Sequence, residues 1–191
     1  MGLFLQLFCS FFIFIGCNET LKTTFSEINI STEKNTIIEI NIPKANGNEV
    51  LKNNINFKIE EIVIDALHTG NTDNVTSKSI EESISSFNEE YNNFKSDFPE
   101  SKQQWEVQID GEVIYESIEI ISIAMTSYIN TGGAHGSLHI SFLNFNAETG
   151  HLILNNELFN DIEAFKKVAK PYFGKTIEEK YASEEGGFAK G

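Results

Sequence analysis

Between Trp105 and Leu154 the sequence repeats one arrangement: an apolar run of strand length, a short turn signal, then another run. Strands joined by so few residues must return antiparallel, because a parallel return needs a crossover of a dozen residues or more. In "WEVQIDGEVIYES" Trp105, Val107 and Ile109 alternate with polar residues, and Asp110-Gly111 is a hairpin signal. "IEIISIAMTSYI" predicts a long strand from Ile118 to Ile129. Ser137 to Phe145 predicts the next, with Leu138, Ile140 and Phe142 on one face. "NAETG" makes a tight turn at Asn146 to Gly150, and the return strand begins over His151 to Leu154. The expected sheet is an antiparallel meander.

Helical spacing appears on both sides of this block. From Val50 to Leu67 the apolar positions are Leu51, Ile55, Ile59, Ile62, Val63 and Ala66. From Ser79 to Phe98 they are Ile80, Ile84, Phe87, Tyr91, Phe94 and Phe98, which places all six on one helix face. Ser79 and Glu82 have capping-box spacing, and Pro99 ends the run. A third helix is predicted from about Asp161, with Ile162, Phe165, Ala169, Tyr172 and Phe173 on a face and Pro171 expected to kink or divide it. Upstream, "TIIEINIP" reads as a half-buried strand from Thr36 stopped by Pro43. Helices and strands in separate runs imply an α+β fold: an antiparallel meander sheet with helices packed on one face.

The N-terminus speaks to location. Gly2 to Gly16 carries no charge and is almost wholly apolar, a suitable length for the apolar region of a secretory signal and short for a transmembrane helix. Gly16 precedes Cys17, as in a bacterial lipoprotein signal in which that cysteine becomes the acylated first residue of the mature chain. Phe14, where leucine is usual, and the lack of a preceding Lys or Arg depart from that pattern. The only other cysteine, Cys9, lies in the segment to be removed, so the mature chain would hold no thiol for a disulfide, metal site or nucleophile. Residues 18–35 are polar and read as a tether.

Charge narrows the partners. The chain has 191 residues, a net charge of −14 and no arginine, which argues against nucleic acid. An acidic surface favours solubility or a cationic partner.

The remaining question is the stretch "NTGGAHGSLH", Asn130 to His139. It is not a phosphate loop, since no Gly-Lys-Ser/Thr follows and strands flank it. As a metal site it is thin: His135 and His139, on one strand, would stand roughly 13 Å apart. Ser137 is on no strand-to-helix elbow. Two readings stay open. Gly132, Gly133 and Gly136 supply a sharp turn with His135 pinning it through ring hydrogen bonds, or Thr131, Gly132, Gly133, His135 and Gly136 form a recognition loop. No cofactor or metal is implied.

Ser127 to Phe159, with Tyr128, the Thr131-Gly132-Gly133-Ala134-His135-Gly136 core, Asn144, Thr149-Gly150 and Leu158-Phe159, resembles the signature of a bacterial extracytoplasmic domain pair of largely unknown function. That pair occurs in stand-alone lipoproteins, in PdaC-type peptidoglycan deacetylases ahead of the catalytic domain, and in RsiV-type anti-sigma factors that sense lysozyme. The strand-then-helix opening at 36–63 resembles the start of its first domain. The resemblance implies a signal peptide over 1–16, a tether over 17–35, a PdaC-like first domain over 36–152 and an incomplete RsiV-like second domain over 153–191. It further implies a lipid-anchored envelope protein, periplasmic or at the cell surface. The expected role is a non-enzymatic module binding a basic protein such as lysozyme or a cell-wall glycan; the alternative is a peptidoglycan- or carbohydrate-modifying enzyme, or its accessory domain, with His135 as acid/base residue.

Overall fold

A computed structural model describes residues 23–33, 36–69 and 77–185, so Cys17 and the apolar N-terminus lie outside the described residues. The elements run β1 (Thr24–Thr32), β2 (Ile37–Asn46), α1 (Glu49–Leu67), α2 (Ile80–Asp97), β3 (Glu106–Glu116), β4 (Ile120–Asn130), β5 (Ser137–Asn146), β6 (Leu152–Ile153) and α3 (Ile162–Glu185). The six strands form one sheet in chain order. From β3 to β6 it is the meander that the turn signals predict. β1 pairs antiparallel with β2. The β2–β3 pair is parallel, from Ile37 beside Glu106 to Asn41 beside Asp110, because α1 and α2 supply the long crossover between them. The fold is α+β and mostly antiparallel, with this one parallel seam.

α1 and α2 cover one face of the sheet. Leu51, Ile55, Ile59, Val63 and Leu67 of α1 and Phe87 of α2 are buried against Ile38 and Ile40, Val107 and Ile109, Ile121 and Ile123, and Phe145. Both helices begin on side-chain caps. Asn48 Oδ1 accepts from the backbone N–H groups of Val50 and Leu51 at 2.9 and 3.3 Å. Ser79 Oγ accepts from Glu82 N at 3.2 Å, as the capping-box spacing predicts, while the Glu82 carboxylate accepts from Lys78 N at 2.7 Å. The aromatic stripe of α2 closes on Trp105, with ring centroids of Phe87, Tyr91 and Phe94 at 5.4, 5.6 and 5.6 Å from it.

Several sequence expectations change. The 17–35 segment is not a polar tether throughout, because residues 24–32 are β1. Its Phe25, Ile28 and Ile30 pack on the core, while its polar residues face water, as an edge strand allows. Pro43 does not end β2, which continues to Asn46. By Pro43 the ladder to β3 has already ended, and the proline ring turns toward Gly111, so the missing N–H faces a side where no ladder bond is due. Asp110-Gly111 is no hairpin: β3 runs through it to Glu116. A Cβ at Gly111 would lie 2.6 Å from Pro43 Cδ and 2.8 Å from Met125 Sδ, so crowding calls for glycine there. The turn sits at Ser117, whose Oγ accepts from Ile120 N at 3.0 Å. Leu138, Ile140 and Phe142 do share a face, but it is the face that α1 and α2 leave open, and they are 62%, 54% and 67% exposed. Pro171 lies inside one continuous α3 rather than dividing it. Around it the helix is exposed, so a carbonyl that loses its donor can bond water.

Candidate functional site

The glycine stretch is the β4–β5 hairpin loop, closed where Ile129 pairs with Ser137. Asn130 Oδ1 accepts from Gly132 N at 3.1 Å, turning the chain at its first residues. Gly132 has a φ of 97°, and a Cβ there would stand 2.7 Å from Gln103 Cγ. Gly136 lies against Tyr128, where a Cβ would meet the ring at 2.4 Å. Thr131, Gly133 and His135 face solvent. The ring nitrogen Nδ1 of His135 is 3.4 Å from the carbonyl of its own neighbour Gly136, too long and too local to pin a loop. The expectation that His135 fixes this turn is therefore corrected: Asn130, Gln103 and Tyr128 do so. Nor does a carboxylate hydrogen-bond His135 among the described residues.

Other parts of the signature have similar structural causes. Asn144 Oδ1 accepts from Ser122 Oγ across the β4–β5 pair at 2.7 Å. Asn146 Oδ1 gathers Glu148 N, Thr149 N and Thr149 Oγ1 at 3.1, 2.9 and 3.0 Å, closing the turn at Gly150. Phe159 stacks on Phe165 of α3.

The chemistry gathers beside the loop rather than in it. On the helix-covered face β5 carries Ser137, His139 and Ser141 before Leu143 and Phe145, so the face changes from polar to apolar along one strand. The polar part lies past the cover of α1, which ends at Leu67 with His68 as its C-cap. The result is a cleft of about 380 Å³, within the range typical of small-ligand pockets. Its floor includes Ile109, Met125 and Ile129, and its walls carry Asp65 and His68 from the end of α1 and Ser127, Ser137, His139 and Ser141 from the sheet. Ser127 and His139 are direct cross-strand partners. Ser127 is largely covered as a residue, but its hydroxyl lines the cleft. Among the described residues the buried side-chain atoms without a partner are Ser83 Oγ and Trp105 Nε1, so the Ser127 hydroxyl is open to the cleft, where a ligand or water can bond it. Of the two histidines weighed in sequence, His139 lines this cleft, while His135 does not. Among the described residues no group of three His, Cys, Asp or Glu side chains could hold a metal ion. Ser127, Ser141 and Asp65 escaped sequence reading; the one signal lies on β5, where Ser137, His139 and Ser141 recur at every second position among apolar residues.

No curated protein matches the chain. Its fold is shared by solved structures, among them two of the DUF3298 family. A DUF3298 family protein from Pseudomonas aeruginosa PAO1 is 16% identical with a TM-score of 0.55, over 89% of this chain and 72% of that one. A member of the DUF3298 family from Bacteroides fragilis NCTC 9343 is 14% identical with a TM-score of 0.51, over 78% of this chain and 65% of that one. At such identities the likeness is one of fold. In sequence, the family described as "Deacetylase PdaC" matches residues 30–138, more than half of the 191 residues, and the chain belongs to that family.

Proposed function

We propose that the protein is a lipid-anchored binding module of the bacterial cell envelope, held outside the cytoplasm by acyl chains on Cys17, whose cleft takes a neutral, polyhydroxylated ligand such as a cell-wall glycan. The observation that carries the ligand class is the lining of the cleft, where the hydroxyls of Ser127, Ser137 and Ser141 and the imidazole of His139 stand above an apolar floor. A pyranose offers the matching surfaces: hydroxyls for the serines and imidazole, and an apolar ring face for the floor. The family's description as a deacetylase fits the alternative of an accessory domain to a glycan-modifying enzyme, because such a domain also has to hold glycan.

Calorimetric titration with soluble peptidoglycan fragments tests this. Ser127→Ala should weaken binding about tenfold, which is about 1.4 kcal/mol, and His139→Ala should do likewise, whereas His135→Ala should leave it unchanged. No measurable heat with the unsubstituted protein removes the glycan reading. A second reading rests on the net charge of −14, which suits a basic protein such as lysozyme, the partner class that the RsiV resemblance implies. Retention of lysozyme at low salt and its release at raised salt would support that reading; no retention at low salt ends it.

A further inference from the structure

The face of the sheet opposite α1 and α2 has two halves. On β5 it carries the exposed row Leu138, Ile140 and Phe142. On β2 and β3 it carries Glu39, Asp110 and Glu112, all exposed, and β3, β4 and β5 contain no lysine. Asp110 accepts a hydrogen bond from Asn41 Nδ2 at 3.1 Å, which holds its carboxylate on this face.

The first half of α3 has the complementary arrangement. Phe165, Val168, Tyr172 and Phe173 recur at helical spacing and are 41%, 64%, 72% and 68% exposed. Lys166 and Lys170 flank that stripe on one side, with Lys167 and Lys175 nearby, against a single acidic residue, Glu163, in the same half. The scale also fits. Asp110 and Glu112 on β3 lie two strands from the β5 row, about 10 Å away, and a helix is about 10–12 Å across. With the apolar stripe seated on β5, the ammonium groups of Lys166 and Lys170 reach the carboxylates of β3. The present ion pair of Lys166 with Glu163, 2.7 Å and exposed on both sides, is the weak kind that exchanges easily.

We infer that this open face is the docking surface for α3 of a second copy of the chain, each copy giving its helix and receiving the other's. Phe159 stacks on Phe165 at 3.9 Å, and Asp161 Oδ1 caps Ala164 N at 2.9 Å, which ties the start of α3 to the segment before it. In its own chain α3 leaves the row Leu138, Ile140 and Phe142 uncovered. Reciprocal exchange about a two-fold axis fills both faces and leaves neither helix over. Aromatic side chains bury about 150–250 Å² each. Three aromatics on each helix and Phe142 on each face bring the reciprocal pair to on the order of 1,200 Å², the lower end of specific interfaces.

Cysteine cross-linking of the full chain tests this. A copy carrying Lys170→Cys is co-expressed with a differently tagged copy carrying Asp110→Cys or Glu112→Cys. A mixed disulfide dimer should form that is absent from unsubstituted chains, and Ile140→Asp with Phe142→Asp on the acceptor copy should reduce it at least tenfold. Those acceptor positions are exposed, so the fold survives, which Trp105 fluorescence checks. An internal disulfide in a doubly substituted chain without mixed dimers overturns the second-copy assignment. So does the lack of either disulfide in folded protein.

Discussion

Gly150 offers the sharpest test of how the meander is fixed to α1. It is buried, with a φ of 69°, and its backbone presses on Leu51: a Cβ would lie 2.5 Å from the Leu51 carbonyl oxygen and 2.8 Å from its Cα. The obstacle is helix backbone, so no side-chain rotation relieves it. Two effects therefore add in Gly150→Ala. The left-handed conformation costs a residue with a Cβ about 1–2 kcal/mol, and overpacking a closed site costs about 1–3 kcal/mol more. Relief by shifting the turn is opposed by Asn54 Nδ2, which donates to the Thr149 carbonyl at 2.9 Å, and by Gly150 N, which donates to the Asn146 carbonyl at 2.8 Å. We expect a loss of about 2–5 kcal/mol, equivalent to a fall in Tm on the order of 5–15 °C for a domain of this size. The single tryptophan, Trp105, reports unfolding by fluorescence in urea or on heating. Gly133→Ala is the internal control, because its Cβ would meet nothing closer than 3.6 Å and its φ is not positive. A Gly150→Ala cost below about 1 kcal/mol, or one equal to that of Gly133→Ala, would refute the reasoning.

Phe87→Ala removes a side chain that is 1% exposed and in ring contact with Trp105; it should cost about 3–5 kcal/mol and shift tryptophan emission to the red. A smaller cost with unshifted emission would mean that the aromatic cluster does not hold α2 to the sheet. His135→Ala should change stability by less than about 0.5 kcal/mol, since the ring is exposed and makes only a long contact to its neighbour; a larger loss in thermal melting would restore it as a loop pin. Labelled fatty acid should be incorporated into the intact chain and lost in Cys17→Ser, and label that survives the substitution would remove the proposed anchor.

Periodicity made α1, α2 and β3 to β5 legible, because each buries one side and exposes the other. It could not reveal which strands pair across the helices. Nothing local in Ile37 to Asn41 says that Glu106 to Asp110 will lie beside it in parallel. β1 was hidden by its composition: Thr24, Ser26, Glu27, Asn29 and Ser31 face solvent on an edge strand, and only Phe25, Ile28 and Ile30 carry the signal. Asp110-Gly111 misled because crowding between strands selects glycine as strongly as a tight turn does. The cleft was illegible for a related reason. Ser137, His139 and Ser141 share a face with Leu143 and Phe145, and the polar half becomes a site only because α1 stops short of it. The apolar row Leu138, Ile140 and Phe142 drew attention to the opposite face instead.

The parallel seam between β2 and β3 has a kinetic consequence. Asn41 and Asp110, bonded across it, are 69 positions apart in sequence, whereas Asn56 bonds both the N–H and the carbonyl of Ala45 from only 11 positions away. Contacts of short span close quickly, and those of long span wait on the entropy of the loop between them. The chain thus divides into two early units: β1, β2 and α1 on one side, and the β3–β5 meander on the other. By contact span, their union at the seam, with α2 settling over Trp105, is the step expected to be slowest. Until it closes, β2 and β3 each present an unpaired strand edge, and these strands would need protection from aggregation while the protein folds.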